Sequence, residues 1–141
     1  MKITPVTDKL SVADQPSEAE IAALAGRGVR LVINNRPDGE EAAQPGSAAE
    51  RRAAEGAGMA YLDLPVTGPT ITREAALRFH EAVEASPGPV LAHCRGGTRS
   101  LTLWVIGEVL AGRMRREDVR AFGTERGFDL SGVVAWLDAN A

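Results

Sequence analysis

The residues best suited to carry out a reaction lie between Val90 and Leu101, where the chain's single cysteine precedes two glycines and two arginines. A short apolar run comes before Cys94, and a strongly apolar stretch begins at Leu101. This order predicts a strand, a turn and a helix. A thiol in such a turn faces backbone N–H groups and the positive end of a helix, which both favour the thiolate. We therefore interpret Cys94 as a nucleophile in an anion-binding loop.

The neighbours of Cys94 are the residue types that an oxyanion site needs. Glycines allow the positive φ values and the close backbone approach of such a loop. Arg99 can hold an oxyanion through two parallel hydrogen bonds. We expect Cys94 and Arg99 to be catalytic, and Ser100 to donate a hydrogen bond to the sulfur. The expected substrate-binding residues are Arg95, Gly96, Gly97, Thr98 and Ser100.

Two further residues could support the loop, and each has a structural alternative. His93 could orient the loop or modulate the thiol, or it could be a hydrogen-bonded histidine at the end of a core strand. Arg36 could approach the same anion, or it could pair with Asp38 or Glu40 in a turn. Arg95 is either a second cation for the substrate or a solvated loop charge.

The elements that must position the loop alternate between strands and helices. We predict strands at 10–13, 29–34, 59–66 and 89–92, and helices at 17–25, 47–55, 72–85, 101–111, 117–126 and 131–140. Ser17 and Ser47 each precede a glutamate by three residues, which predicts a capping box at both helix starts. The alternation predicts an α/β domain over residues 1–141, with a central, mainly parallel sheet of about four strands flanked by helices. Ligands of such folds bind at the carboxyl ends of the strands, here residues 34–36, 65–67 and 93–99.

The bulk composition excludes several classes of protein. With 141 residues, 44% of them hydrophobic and 25% charged, the chain is an ordinary globular domain. A net charge of −3 provides no basic field for nucleic acid or an anionic membrane. One cysteine excludes an internal disulfide and a multi-cysteine metal site, and we expect no metal or cofactor. The sequence shows no apolar signal core or membrane-spanning stretch, so we expect a cytoplasmic location.

Several of these motifs together resemble a known family. Cys94 to Ser100 is similar to the active loop of rhodanese-type sulfurtransferases, and the preceding histidine is typical of tyrosine and dual-specificity phosphatases. The wider set resembles the phosphatase-like domain of the β-lactamase hydrolase-like proteins, the DUF442 group. That set comprises Gln15-Pro16-Ser17, residues 34–40, Leu64-Pro65-Val66 and residues 94–100. The resemblance implies a dual-specificity-phosphatase-like fold. Members occur alone or fused to a persulfide dioxygenase or a flavin oxidoreductase, and both phosphatase and sulfurtransferase activity are ascribed to them.

Two departures from the phosphatase pattern favour sulfur transfer. Phosphatases of this type use Cys-x5-Arg, whereas only four residues separate Cys94 from Arg99. The shorter loop suits a terminal sulfur better than a tetrahedral phosphoryl group. The loop at 65–72, where a proton donor is expected, contains no Asp, Glu or His. Sulfite or a thiolate can leave without such an acid, whereas an alkoxide needs one.

The sequence therefore predicts a rhodanese-type sulfurtransferase. Its Cys94 persulfide would carry a sulfane sulfur from thiosulfate or a glutathione persulfide to a thiol or cyanide. The expected partners are that anionic donor and a thiol acceptor, with a functional link to a persulfide dioxygenase and with neither nucleic acid nor membrane. The alternatives are a phosphatase that acts through phospho-Cys94 and a non-enzymatic module that binds oxyanions or a partner protein.

Overall fold

The computed structural model describes residues 1–140, and a five-stranded sheet forms the centre of this part of the chain. The strands are β1 (Ile3–Pro5), β2 (Leu10–Ala13), β3 (Leu31–Asn34), β4 (Ala60–Asp63) and β5 (Val90–His93). Their order is β1-β2-β5-β3-β4, and only β1 is antiparallel to its neighbour among the pairs described. The predicted mainly parallel sheet is confirmed. The prediction of about four strands missed β1, which is a three-residue edge strand too short to show a hydrophobic pattern.

Helices cover both faces of the sheet. They are α1 (Glu18–Ala23), α2 (Ser47–Gly56), α3 (Arg73–Ala85), α4 (Thr98–Leu110), α5 (Val119–Glu125) and α6 (Ser131–Asn140). Alternate strand residues point to opposite faces, so Val32 and Leu91 pack in the α1–α2 cluster while Ile33 and Ala92 pack in the α3–α6 cluster. None of the helices within residues 1–140 is long and apolar enough to cross a membrane.

The central position of β5 places the nucleophile loop at the middle of one sheet edge. β5 lies between β2 and β3 and runs parallel to both, with His93 paired to Ala13 on one side and Asn34 on the other. The carboxyl ends of these three strands therefore meet at the same edge. The residues that leave this edge side by side include Gln15, Cys94 and Asn35. The strand ends at which the sequence predicts ligand binding therefore lie together at one edge of the sheet.

The start of α2 differs from the prediction. The capping box at Ser17 is present, but the one predicted at Ser47 is wrong. The N-cap is Gly46, and Ser47 donates from its N–H and hydroxyl to Asp38 at 2.8 and 3.0 Å. Asp38 takes the capping role from outside the helix, which leaves Glu50 free to turn inward and become buried.

The predicted helix at 117–126 is divided in two. A short 3₁₀ helix at Arg116–Asp118 precedes α5, and α5 ends at Glu125. Gly123 explains the close packing here, because a Cβ at that position would lie 2.6 Å from the Leu130 side chain. The chain therefore turns tightly after α5 and delivers residues 127–129 to the loop that follows Cys94.

Candidate active site

Cys94 occupies the bottom of a turn that begins where β5 ends. Its side chain is 1% exposed, and its sulfur accepts the N–H of Gly97 at 3.0 Å. Gly97 has φ +100° as the N-cap of α4, and a Cβ there would lie 3.0 Å from the Phe128 ring. Glycine is therefore required at position 97 by both conformation and space. The expectation that Gly96 shares the positive φ is wrong, since it has neither that conformation nor a close neighbour.

The N-terminus of α4 lies open beside this turn. In the part of the chain that the structure describes, no side chain caps this helix. The N–H groups of its first turn are therefore available to an anion, as the sequence predicted for a strand-turn-helix loop. Thr98, the first residue of the helix, is exposed at the mouth of the turn.

Arg99 lies between Glu40 and the cysteine sulfur. Its Nη1 donates to Glu40 Oε2 at 2.8 Å and to the Val66 carbonyl at 3.0 Å, and its Nη2 donates to Glu40 Oε1 at 2.9 Å. The hydrogen bond to Glu40 raises the pKa of Arg99, and the charge of the nearby Cys94 acts in the same direction. A guanidinium has five N–H donors, so the Nε–H and one Nη2 N–H remain on the edge away from Glu40. That edge can hold an oxyanion through two parallel bonds.

Glu40 is ionised in this arrangement. Its hydrogen bonds to Arg99 and to Arg36 lower its pKa from 4.5 to about 2. A carboxylate held in this way positions Arg99 and cannot act as a proton donor at neutral pH. The structure therefore brings a carboxylate to the site from the loop after β3, in a form that does not replace the missing acid.

The pKa of Glu40 makes its contribution to stability pH-dependent. Because the folded pKa lies below the ordinary value, the contacts of Glu40 stabilise the protein above pH 4.5 and this stabilisation is lost as the pH falls toward 2. Solvent screening limits it to about 1 kcal/mol. We expect the difference in free energy of unfolding between the wild type and Glu40→Gln to shrink by about half of that amount between pH 5 and about pH 3, measured by urea titration. The control is Glu55→Gln, which removes an exposed ion pair to Arg51. A Glu40→Gln difference that stays constant over this range would contradict the assignment.

Arg36 lies behind Arg99. It is buried, and its guanidinium contacts Glu40 at 3.0 Å, Glu41 at 2.7 Å and Gln15 at 3.1 Å. The sequence left open whether Arg36 approaches the anion or pairs with Asp38 or Glu40. The structure shows that Arg36 pairs with Glu40, and that it also pairs with Glu41. Each of its three nitrogens already has an acceptor, so Arg36 fixes the carboxylate that fixes Arg99.

The contacts of two further loop residues are defined by the structure. Arg95 is 68% exposed and pairs with Glu41 at 3.1 Å, as expected for the alternative of a solvated loop charge. Ser100 is buried and donates its hydroxyl to Asn35 Oδ1 at 2.8 Å. A hydroxyl has a single proton, so the predicted hydrogen bond from Ser100 to the Cys94 sulfur is wrong. Ser100 instead ties the first turn of α4 to the end of β3.

His93 has a partner that the sequence did not reveal. Its Nδ1 lies 3.2 Å from the Cys94 carbonyl, and its Nε2 lies 2.6 Å from Glu50 Oε1. Both side chains are buried. Sequence reasoning assigned Glu50 to a capping box and so missed it. The available signal was its spacing from Ala54, since residues four apart on a helix share a face and Ala54 is buried.

Gln15 joins the two halves of the site. Its Nε2 donates to Glu50 Oε2 at 2.9 Å, and its Oε1 accepts from Arg36 Nη1 at 3.1 Å. The sequence placed Gln15 in a family motif without a role. Its amide joins two sets of hydrogen bonds into one chain, which we call the polar network. The polar network runs through His93, Glu50, Gln15, Arg36, Glu40 and Arg99. Its first member, His93, also contacts the Cys94 carbonyl.

Loss of the buried carboxylate is expected to destabilise the protein. Glu50→Ala leaves His93 and Gln15 facing a cavity without an acceptor, so we expect the free energy of unfolding to fall by about 3 kcal/mol. Glu50→Gln keeps one acceptor oxygen and should cost about 1 kcal/mol. Urea unfolding measures both. Glu55→Ala is the matched control on the same helix, and it is exposed. A Glu50→Ala variant as stable as Glu55→Ala would contradict this role for Glu50.

Two pockets of about 200 and 210 Å³ border the nucleophile loop. Thr98 and Asp129 line both of them, Arg99 lines the first and Gly96 lines the second. Among residues 1–140, no three or more His, Cys, Asp or Glu side chains are grouped so that they could hold a metal ion.

Comparison with known proteins gives a consistent picture. Residues 2–111 match the model of the phosphatase-like domain of β-lactamase hydrolase-like proteins. The chain is 46% identical over 138 residues to the β-lactamase hydrolase-like protein of Agrobacterium fabrum strain C58. That alignment covers 98% of this chain and 32% of the relative. The chain thus spans about a third of the length of the curated relatives it matches.

Solved structures agree with this match. The crystal structure of a phosphatase candidate from Neisseria meningitidis Z2491 is 30% identical, with a TM-score of 0.86 and coverage of 100% of this chain and 99% of that one. Tk-PTP in its active form is 21% identical, with a TM-score of 0.72 and coverage of 99% and 97%. The second likeness concerns the fold alone. The predicted phosphatase-like fold and the family resemblance are both confirmed.

Proposed function

Because the chain belongs to the phosphatase-like domain family of the β-lactamase hydrolase-like proteins, we propose that it is a cysteine-dependent phosphatase. The observation that carries the proposal is the arrangement of Cys94 and Arg99. The sulfur lies under the Gly97 N–H, and the Arg99 edge away from Glu40 has two donors for an oxyanion. This function is the alternative that the sequence left open, and the names of the matched family and of the Neisseria meningitidis structure favour it over sulfur transfer.

The proposed reaction takes place in two displacements. A phosphate monoester places its oxygens on Arg99 and on the N–H groups at the start of α4. The Cys94 thiolate attacks phosphorus, a sulfur–phosphorus bond forms, and the bond to the leaving oxygen breaks. Water then attacks the phospho-cysteine, inorganic phosphate leaves, and the thiolate is restored. Glu40 keeps Arg99 in place throughout.

The supply of protons limits which esters can react. The loop at 65–72 has no acidic side chain or histidine, and Glu40 is ionised. The leaving oxygen must therefore depart with little proton assistance from these groups. Aryl and acyl phosphates, whose leaving groups are stable anions, are the substrates that fit. Alkyl phosphates should be turned over far more slowly.

The test compares p-nitrophenyl phosphate with an alkyl phosphate and follows the enzyme by intact mass after acid quench. The expected result is aryl-phosphate turnover and one phosphoryl group on the wild type, with neither in Cys94→Ser. Turnover that survives Cys94→Ser, or no turnover at all, would overturn the proposal. Oxyanion-dependent thermal stabilisation without any turnover would instead support a non-enzymatic binding module.

A second candidate, sulfur transfer, is favoured by the four-residue spacing between Cys94 and Arg99. In this reaction the thiolate attacks the outer sulfur of thiosulfate or a glutathione persulfide, and the sulfur–sulfur bond breaks. Sulfite or glutathione thiolate leaves, and Cys94 becomes a persulfide. A thiol or cyanide then takes the outer sulfur and restores the thiolate. A link to a persulfide dioxygenase stays a prediction.

One preparation distinguishes the two reactions. The protein is incubated with thiosulfate and cyanide in one assay and with p-nitrophenyl phosphate in another. Thiocyanate formation with one added sulfur on Cys94, and no phosphate release, would select sulfur transfer. Phosphate release without thiocyanate would select the phosphatase.

A further inference from the structure

Phe128 has no role in the site described so far, although its ring lies against the nucleophile loop. A Cβ at Gly97 would lie 3.0 Å from Cε1 and 3.1 Å from Cζ of that ring, and 3.6 Å from the carbonyl carbon of Ala13. At Gly96, by contrast, a Cβ would meet nothing within 4 Å. Gly97 is therefore packed against both the end of β2 and the Phe128 ring, whereas the residue before it is open.

The packing at Gly97 matters because this residue carries the N–H that reaches the Cys94 sulfur, at 3.0 Å. A hydrogen bond to a thiolate favours the charged form. Glycine has more backbone freedom than any other residue, so the φ of +100° at Gly97 is one of many conformations open to it. A neighbour that restricts Gly97 therefore also decides whether its N–H stays on the sulfur.

The two halves of the nucleophile loop are held in different ways. The first half is tied to the end of β2 by backbone hydrogen bonds. Cys94 donates its N–H to the Ala13 carbonyl at 3.4 Å, and the Arg95 carbonyl accepts the Gln15 N–H at 3.2 Å. The second half reaches Gly97, whose contact with Phe128 is the packing of a ring against the backbone. The ring thus restrains the half of the loop that supplies the N–H.

Phe128 is itself held firmly by the turn between α5 and α6. Its N–H donates to the Gly123 carbonyl at 2.8 Å. The packing at Gly123 is so close that a Cβ there would lie 2.8 Å from the Phe128 carbonyl oxygen and 2.6 Å from the side chain of buried Leu130. A half-buried ring on such a segment is a fixed wall beside the loop.

We propose that Phe128 is a positioning residue for the nucleophile, which restricts Gly97 so that its N–H stays on the Cys94 sulfur and favours the thiolate. Phe128 lies outside residues 2–111, the part of the chain that matches the family model. The inference deepens the proposed function and rests on Cys94 as its nucleophile. Its test requires no turnover.

The test follows the Cys94 thiolate by its ultraviolet absorbance as a function of pH, with Cys94→Ser in the same background as the blank. Because the chain has a single cysteine, the difference reports this thiol alone. We expect Phe128→Ala to raise the midpoint by at least about half a pH unit, since the hydrogen bond to the thiolate is weakened. Phe128→Leu leaves a smaller gap beside Gly97 and should raise it by less. Circular dichroism shows the pH range over which each variant is folded, and Phe128→Leu decides the question if Phe128→Ala does not fold.

Phe122→Ala is the matched control. Phe122 is likewise half-buried, but it belongs to α5 itself, and its ring centre lies 3.6 Å from Cζ of Arg126. Both truncations remove the same atoms and should lower the free energy of unfolding, which urea titration measures. We expect the midpoint of Phe122→Ala to stay within about 0.2 pH unit of the wild type. A midpoint that is unchanged in the Phe128 variants, or an equal rise in Phe122→Ala, would overturn the proposal.

Neither substitution removes a charge near the sulfur. The charged and titratable groups in or beside the loop are its two arginines, His93, Glu40, Glu50, Asp14 and Asp129. All of them are kept in both variants. A rise confined to the Phe128 variants therefore reports the hydrogen bond from Gly97.

The outcome also separates this proposal from the proposed function. A raised midpoint in Phe128→Ala, together with no aryl-phosphate turnover by the wild type, would refute the phosphatase and leave Phe128 in its positioning role. Turnover by the wild type with an unchanged midpoint in the variants would do the reverse.

Discussion

Cys94→Ser is expected to lower kcat/KM by at least about 10³-fold for any substrate that the protein turns over. The serine hydroxyl keeps its proton near neutral pH and is a poor nucleophile without a base. His93, its neighbour, is engaged by Glu50 and by the carbonyl of residue 94. The same hydroxyl can still accept the Gly97 N–H that now reaches the sulfur. The variant should therefore fold normally and bind oxyanions while it fails to react.

Three measurements on Cys94→Ser test this expectation. Steady-state kinetics gives the loss of turnover, calorimetry with an oxyanion gives the retained binding, and urea unfolding gives the stability. Retained binding with lost turnover separates a nucleophile from a residue that only shapes the loop. If the variant reacts at a rate within tenfold of the wild type, Cys94 is not the nucleophile.

Arg99→Lys is expected to lower kcat/KM by about 10²–10³-fold. An ammonium is a point charge without the planar fork, so it cannot bind Glu40 on one edge and an oxyanion on the other. The lost contacts are the paired bonds to Glu40 at 2.8 and 2.9 Å and the bond to the Val66 carbonyl. Kinetics with an aryl phosphate checks the size of the effect.

Arg95→Lys provides the matched control for Arg99→Lys. Arg95 lies in the same loop but is mostly exposed, and within residues 1–140 its salt bridge is to Glu41. We expect its kcat/KM to stay within about threefold of the wild type. Equal losses in the two variants would mean that overall loop charge, rather than the fork of Arg99, is what the reaction needs.

The parts of the fold that depend on local pattern were predictable from sequence. Local sequence is enough to predict three features, because each depends only on residues a few positions apart. They are the Thr72 cap of α3, the apolar helix α4 and the span of α6. β1 was not predictable, because its edge position leaves its residues partly exposed. The strands predicted at 29–34 and 59–66 were too long by a few residues, since pairing with neighbours, rather than composition, decides where a strand begins and stops.

The candidate site was predictable only where it is contiguous. Cys94, Gly97 and Arg99 lie in one motif and were found. Glu40 and Glu50 come from other segments, and their partners are set by tertiary packing that sequence spacing does not report. The charge pattern did contain a hint, because pairing with Asp38 or Glu40 was one of the two alternatives for Arg36. That this carboxylate also holds Arg99 required the fold.

The function itself was the hardest inference from the sequence. A loop one residue shorter and the lack of an acid at 65–72 favoured sulfur transfer, whereas membership of a phosphatase-like family supports the proposal of a phosphatase. Both reactions need the same thiolate and the same guanidinium. They differ in the atom attacked and in the group that leaves, and neither of these is part of the polypeptide.

The topology of the sheet also determines when during synthesis the site can exist. β2 and β3 are both made early, but each has β5 as its neighbour in the centre of the sheet, and β5 is the last strand in chain order. Leu10 pairs with Val90, so this contact joins two residues that lie 80 positions apart in the chain. Until β5 emerges from the ribosome, Gln15, Glu50 and Arg36 have no nucleophile to surround. The polar network is therefore complete only after the chain through Arg99 has been made, and until then the Cys94 thiol lacks the Gly97 N–H and the neighbouring guanidinium.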